Sequence, residues 1–224
     1  MLQLISTAAV SNLAYISWKN KWGLLNHTSL SPLFSFFISY LLLDLKAYGR
    51  HLLFHKIPFA WRFHQIHHSD LDVDVTTGQR FHPGETLISF VFDLIFIVLI
   101  GPSFVAVFTF DSFIFIFSFI NHANIRVFPL LDKILRWFVI TPEMHRVHHS
   151  IDLIESNSNF GFMFPWWDYL FRTYLAQPAA PHEKMRLGLA ELRSFESLRL
   201  PGLLMMPFRK KREEPKTEWV PGQG

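Results

Sequence analysis

The chain has 224 residues, half of them hydrophobic, 25 of them Phe and only 17% charged, against roughly 25% charged in soluble domains. It has no Cys and twelve His. Disulfides, iron–sulfur clusters and thiolate-held haem or zinc are therefore excluded, and any metal must be held by His, carboxylate or backbone oxygen. A net charge of +3, with its basic excess outside the apolar stretches, fits a protein beside anionic lipid and not a nucleic-acid binder.

Residues 1–31 read as an N-terminal membrane or interfacial segment, without the basic start or small-residue cleavage site of a secretory signal. The apolar run from Leu30 to Leu45 continues into AYGRHLLFH and predicts a helix over Pro32–Lys56. After a polar stretch, Thr86–Ile125 is almost continuously apolar, interrupted by Gly101-Pro102. That length is twice one crossing, and the Gly-Pro pair marks a turn, so a helical hairpin is expected with both ends on one side. Charged and apolar residues alternate over Pro181–Phe208, as in an interfacial amphipathic helix. The polar end, 209–224, reads as a disordered tail. The expected fold is all-α: multi-pass membrane helices with a cytoplasmic helical cap, the catalytic domain running over 32–208. Lys46, Arg50, Lys56, Arg62 and Arg80 before the hairpin, and Arg126, Lys133, Arg136 and Arg146 after it, make that face cytoplasmic.

Three clusters carry the chemistry: His51-x-x-x-His55, His64-x-x-His67-His68 and His145-x-x-His148-His149. On a helix, residues three and four apart share a face, so each cluster aims imidazoles in one direction, and imidazole suits iron, zinc, copper and nickel. Eight imidazoles exceed one ion's needs and match two. Asp44, Tyr48, His51 and His55 share a helical face, with Asp44 and Tyr48 expected to bond the outer nitrogens of ligand histidines. Their alternative is an interfacial cap or ion pair with Lys46 or Arg50. His122 is either a ninth ligand or a helix cap. His82 reads as a supporting or structural residue, and His27 and His182 as ordinary polar ones. Asp70, Asp72, Asp74, Glu85, Glu143 and Asp168 are candidates to offset the metal charge.

Three histidine boxes in this order, split by an apolar hairpin, resemble the sterol desaturase and fatty-acid hydroxylase superfamily. Asp44…Tyr48…His51, Arg80-Phe81-His82-Pro83, Asn159-Phe160-Gly161 and Trp167-Asp168-Tyr169-Leu170-Phe171 extend the likeness over roughly 32–208. The chain departs from the family pattern at Phe160, where Tyr is usual, at Arg172, where Gly is usual, and in a shorter N-terminal membrane region. The resemblance implies a two-iron centre, molecular oxygen, a lipid substrate and external electrons, with zinc a possible occupant after purification. Asn159 and Asp168 then join Asp44, Tyr48 and His82 as residues supporting the ligands.

A non-haem iron pair activates oxygen to break an unactivated C–H bond, which acid–base groups alone cannot do. No flavin, nicotinamide or iron–sulfur signature occurs in the chain, so the electrons are expected from a separate reductase, ferredoxin or cytochrome. Two other classes stay open. A membrane zinc hydrolase would need a general-base Glu beside the histidines, and Glu143 is the nearest one. A metal transporter or sensor would place ionisable groups along the crossing path.

Overall fold

Proline opens the helices of this protein. Pro32, Pro58, Pro83, Pro129 and Pro142 each stand in the first turn of a helix, where the missing N–H is not needed and φ is preset. In the computed structural model, residues 2–194 and 198–209 are described; the tail expected at 209–224 lies, but for Arg209, outside them. The helices are α1 (Leu2–Lys19), α2 (Pro32–Lys56), α3 (Pro58–His64), α4 (Pro83–Ile100), α5 (Phe104–His122), α6 (Pro129–Leu135), α7 (Pro142–His148), α8 (Leu153–Ser156), α9 (Trp166–Leu170) and α10 (Leu200–Met205). Short 3-10 turns fall at 24–27, 67–69, 77–79 and 206–208. Among the described residues, strand-like pairing is limited to one isolated bridge, Ser150 to Leu187. The class is all-α.

α4 and α5 form the expected hairpin. Gly101 turns the chain at φ +64°, and a side chain there would strike the Trp22 carbonyl, so glycine both makes the turn and lets the N-terminal segment close over it. Both helices are long and apolar enough to cross a membrane; Ile5–His27 and Pro32–Lys56, bent by 84°, make a third span if taken together. Eighteen residues of α4 reach about 27 Å, close to the roughly 30 Å of a bilayer's hydrocarbon. Leu87, Ile95, Leu99, Phe108 and Ile116 point outward, each at least half exposed. The chain is a membrane protein.

Inside lipid, helices gain little from excluding water and associate by close packing instead. Ala14, Ala47 and Ala106, all nearly inaccessible, let α1, α2 and α5 approach closely. Leu43, Ile97, Val107 and Phe110 fill the seam between them, and Met163 closes it from the loop layer.

Two expectations are corrected. Residues 181–194 form turns and extended chain, not an amphipathic helix. Pro181 and Gly188, the latter at φ +93°, interrupt any helix, and the backbone bonds elsewhere: Ile151 N–H to Arg186 O (2.9 Å) and Gly188 N–H to His149 O (3.2 Å). Helix resumes only at α10, where Leu203 and Met206 pack on Ile66. Secondly, Lys46 and Arg50 do not decorate a membrane face. Both turn inward to Asp93 on α4, at 2.9 and 2.8 Å, so they drop out of the charge count that orients the chain.

Candidate metal centre

The C-terminal ends of α2, α3, α5 and α7 meet at one end of the bundle, and each delivers histidines there. Nine imidazoles sort into two groups, within each of which the candidate ligand atoms lie within 4.8 Å of one another. The first group is His51, His55, His64, His68 and His148; the second is His67, His122, His145 and His149. The structure thus brings together all three boxes and His122.

Each HxxHH box is shared between the groups. His64 and His68 go to the first, His67 to the second; His145 and His149 go to the second, His148 to the first. In the last box, at the end of α7, helix geometry accounts for this; the second box leaves α3 at His64 and brings in His67 and His68 through a 3-10 turn. At about 100° per residue, positions i and i+4 lie about 40° apart, while i+3 falls about 60° to the other side. One box therefore reaches two centres.

The proton inventory says what the groups are for. His51 Nδ1 lies 2.9 Å from the Phe160 carbonyl, His122 Nδ1 2.6 Å from Ser118 O, and His148 Nδ1 2.7 Å from Ser158 O. A carbonyl only accepts, so each of these Nδ1 atoms carries the proton and each Nε2 is a bare lone pair. His51 Nε2 and His148 Nε2 nevertheless face each other at 3.0 Å. His122 Nε2 faces the Nε2 atoms of His67, His149 and His145 at 3.1, 3.1 and 2.9 Å, where one lone pair cannot serve three donors. Lone pairs this close need a cation between them, and metal–nitrogen bonds of about 2.1 Å leave neighbouring ligand nitrogens about 3 Å apart. The site is a metal site.

Burial keeps these imidazoles neutral. Desolvation holds His67, His68, His145 and His149 well below the ordinary imidazole value, with the charges of neighbouring histidines adding to it. It takes His148 down to about 3, against the opposing bond to Ser158. His64 makes the one contact between a cluster imidazole and a carboxylate among the described residues, Nδ1 to Glu85 Oε1 at 2.7 Å. Its Nε2 is buried without a protein partner and belongs to the first group.

Other anticipated residues sit further out. Asp44 accepts from Trp167 Nε1 at 2.8 Å, and the Tyr48 hydroxyl pairs with Thr173 Oγ1 at 2.9 Å. Neither touches a histidine, contrary to expectation, because the Phe160 carbonyl already occupies His51 Nδ1. Instead both brace the 160–173 loop that presents that carbonyl. Asp168 does so more directly: its carboxylate accepts from the Phe160 and Gly161 amides, both at 2.8 Å, and from Thr173 Oγ1 at 2.6 Å. Burial lifts Asp168 to about 6 against those three bonds. A Cβ on Gly161 would come within 2.7 Å of Asp168 Oδ2, so this approach requires glycine. Asn159, at φ +53°, donates to Met144 O and Leu175 O and accepts from Leu175 N. His82 caps α4, accepting from Gly84 N at 2.8 Å, and lies 3.2 Å from Leu204 O; its role is structural.

Of the acids proposed to offset metal charge, only Glu85 bonds a cluster histidine. Asp70 pairs with Arg80, and Glu143 with Arg146 and His182. Phe160 is fully buried, its ring against His51, His55 and His148. A cavity of about 680 Å³ runs from His51, His64, His67 and His145 along α1, α2, α4 and α5.

With this geometry in hand, the chain can be set beside known proteins. The fatty acid hydroxylase family matches residues 36–173, a span that holds all nine histidines. The chain belongs to this family. It is 31% identical over 181 residues to the ornithine lipid hydroxylase OlsE of Rhizobium tropici, covering 78% of this chain and 50% of that protein. It is 28% identical over 186 residues to the alkylglycerol monooxygenase of Xenopus tropicalis (82% of this chain, 39% of that one). To the cholesterol 25-hydroxylase of Mus musculus it is 28% identical over 145 residues (63% and 47%). The chain therefore spans about half the length, or less, of these curated relatives. No solved structure matches it.

Proposed function

We propose that the protein is a membrane two-iron oxygenase that hydroxylates an unactivated C–H bond of a lipid. The observation that carries this is the convergence of nine histidines into two groups whose bare Nε2 atoms stand about 3 Å apart. In this reading His51, His55, His64, His68 and His148 hold one iron, and His67, His122, His145 and His149 the other. Glu85 holds the proton of His64 Nδ1, and the carbonyls of Phe160, Ser158 and Ser118 hold those of His51, His148 and His122, so each ring is fixed in one tautomer with Nε2 free. When bound, the metal pair supplies oxygen activation: one oxygen atom enters the C–H bond and the other leaves as water, with two electrons and two protons delivered from outside. Zinc has no redox chemistry to do this, and three relatives carry names for adding oxygen to an ornithine lipid, an alkylglycerol or cholesterol. Hydroxylation is favoured over desaturation on the same ground.

The chain's own residues bind and orient. Phe54, Phe90 and Phe162 line the cavity beside the histidines. Phe115 and Ile116 belong to the same wall and are 44% and 50% exposed on the flank of α5, so a lipid tail enters sideways from the bilayer. Phe160 closes the first group against water. Lys56, Arg62, Arg80, Arg126 and Lys133 make the histidine end the cytoplasmic one, where an electron donor docks. A hydrolase would need a base inside the site, and Glu143 is instead committed to Arg146 and His182.

Two measurements test the reading. Metal analysis of protein purified from iron-replete cells should find near two irons per chain; one zinc and no iron would overturn it. Lipid profiles of cells with and without the protein should differ by an oxygen-containing product, and identical profiles under aeration would count against an oxygenase.

A further inference from the structure

The cavity has a second polar surface, and the oxidation chemistry makes no use of it. Arg50, Asp93 and Asp111 line the same space as His51, His64 and His67, with Ser89 and Ser112 also in the lining. Asp111 stands eleven residues before His122 on α5, about 16 Å along the helix axis. A carboxylate at such a depth is costly unless it has a partner.

The partners within the protein are already spent. Lys46 is nearly buried, its ammonium 2.9 Å from Asp93 and over the rings of Phe96 and Phe110 at 5.6 and 5.9 Å. Arg50 gives a single nitrogen, Nη1, to both oxygens of Asp93, each at 2.8 Å. Its Nε and Nη2, and the whole Asp111 carboxylate, make no hydrogen bond to protein among the described residues. Two cations and two carboxylates leave the cluster neutral, with an acceptor (Asp111) and the free edge of a donor fork (Arg50) facing one cavity.

We propose that this surface binds the polar end of the lipid that reaches the histidines, and that this end is a proton donor, a hydroxyl or an ammonium, and not a carboxylate. A hydroxyl donates to Asp111 and accepts from Arg50 without changing the neutral balance. An ammonium donates to Asp111, the carboxylate that has no hydrogen bond to protein among the described residues, and adds one positive charge to the cluster. A fatty-acid carboxylate satisfies Arg50 but meets Asp93 and Asp111 as like charges in a medium that screens poorly. The inference takes from the oxygenase reading only that the cavity's occupant is a substrate, and binding is measurable without turnover.

The test uses the metal-loaded protein in phospholipid nanodiscs and equilibrium binding of radiolabelled 1-hexadecanol, hexadecylamine and hexadecanoate. The alcohol or the amine should bind at least about tenfold more tightly than hexadecanoate, and the better of the two identifies the donor. Asp111→Asn should cut that preference to about twofold or less while leaving metal content unchanged. Hexadecanoate binding as well as the other two would overturn the proposal, as would a preference that survives Asp111→Asn. The three-probe comparison on the unaltered protein stands even where the variant fails to fold. Loss of the preference with two irons present refutes this inference alone; a chain without iron that keeps the preference refutes the oxygenase reading alone.

Discussion

The two histidine groups share two of the three boxes but are held differently. In the five-histidine group, three outer nitrogens are bonded, to Phe160 O, Ser158 O and the Glu85 carboxylate. In the four-histidine group only His122 is so held, by Ser118 O, while Nδ1 of His67, His145 and His149 is buried without a protein partner. Outer bonds fix ring orientation and raise ligand basicity, so the first group is the rigid, charge-compensated one and the second the softer one. Two ions held by these groups would sit in two unlike settings, one suited to retaining its metal and one freer to change its ligation.

The largest test of that contrast removes a ligand from each side. His122→Ala and His148→Ala should both reduce turnover to background. His122→Ala leaves three unbraced imidazoles and should lower the metal count by about one per chain, whereas His148→Ala leaves four and should retain more; equal losses would erase the contrast. Glu85→Gln keeps an acceptor for His64 but removes the charge. It should weaken one metal of the two by about 10–100-fold in a chelator titration, and an unchanged titration would show that Glu85 is not part of the metal's support.

A smaller effect concerns the loop that supplies Phe160. Arg172 is exposed and left-handed, at φ +59°, the conformation that glycine adopts freely and other L-residues adopt at a cost of about 1–2 kcal/mol. The family's usual glycine at this position is thereby explained. Arg172→Gly should raise stability by about 1 kcal/mol, read as a higher thermal midpoint at constant metal content, while Arg172→Ala should not. The smallest effect belongs to His182, which meets Glu143 at 3.3 Å outside both groups: His182→Ala should change metal content and turnover by no more than about twofold, within the ordinary range of a surface change.

Much of this was legible in residue types and spacing. Proline and the Gly101-Pro102 pair mark helix starts and the hairpin turn because their backbone limits are local. The boxes mark the clustered imidazoles because chelation needs repeated imidazoles on one face. What supports the ligands was less legible, since most of it is backbone: the carbonyls of Phe160, Ser158 and Ser118 leave no side-chain signature. Spacing puts Asp44 and Tyr48 on the same buried face of α2 as His51, but their partners, Trp167 and Thr173, come only from the fold of residues 160–173. The pattern over 181–208 misled for a related reason. Alternating charge fits a surface helix, yet Pro181, Gly188 and the pairing with His149 and Ile151 override it. Asp93 and Asp111 read in the sequence as isolated charges, and two acids in an apolar hairpin are the available signal.

The chain beyond residue 173 has a bearing on how this family is interchangeable. Gly188 bonds the His149 carbonyl, Leu203 and Met206 cover Ile66 between His64 and His67, and Leu204 O meets His82. All these residues lie past the family match at 36–173, yet they clasp both HxxHH boxes from behind. A graft of 36–173 into a relative would carry all nine clustered histidines and leave their outer clasp to the host. Compatibility between the two segments, more than the boxes themselves, would then decide which hybrids hold metal.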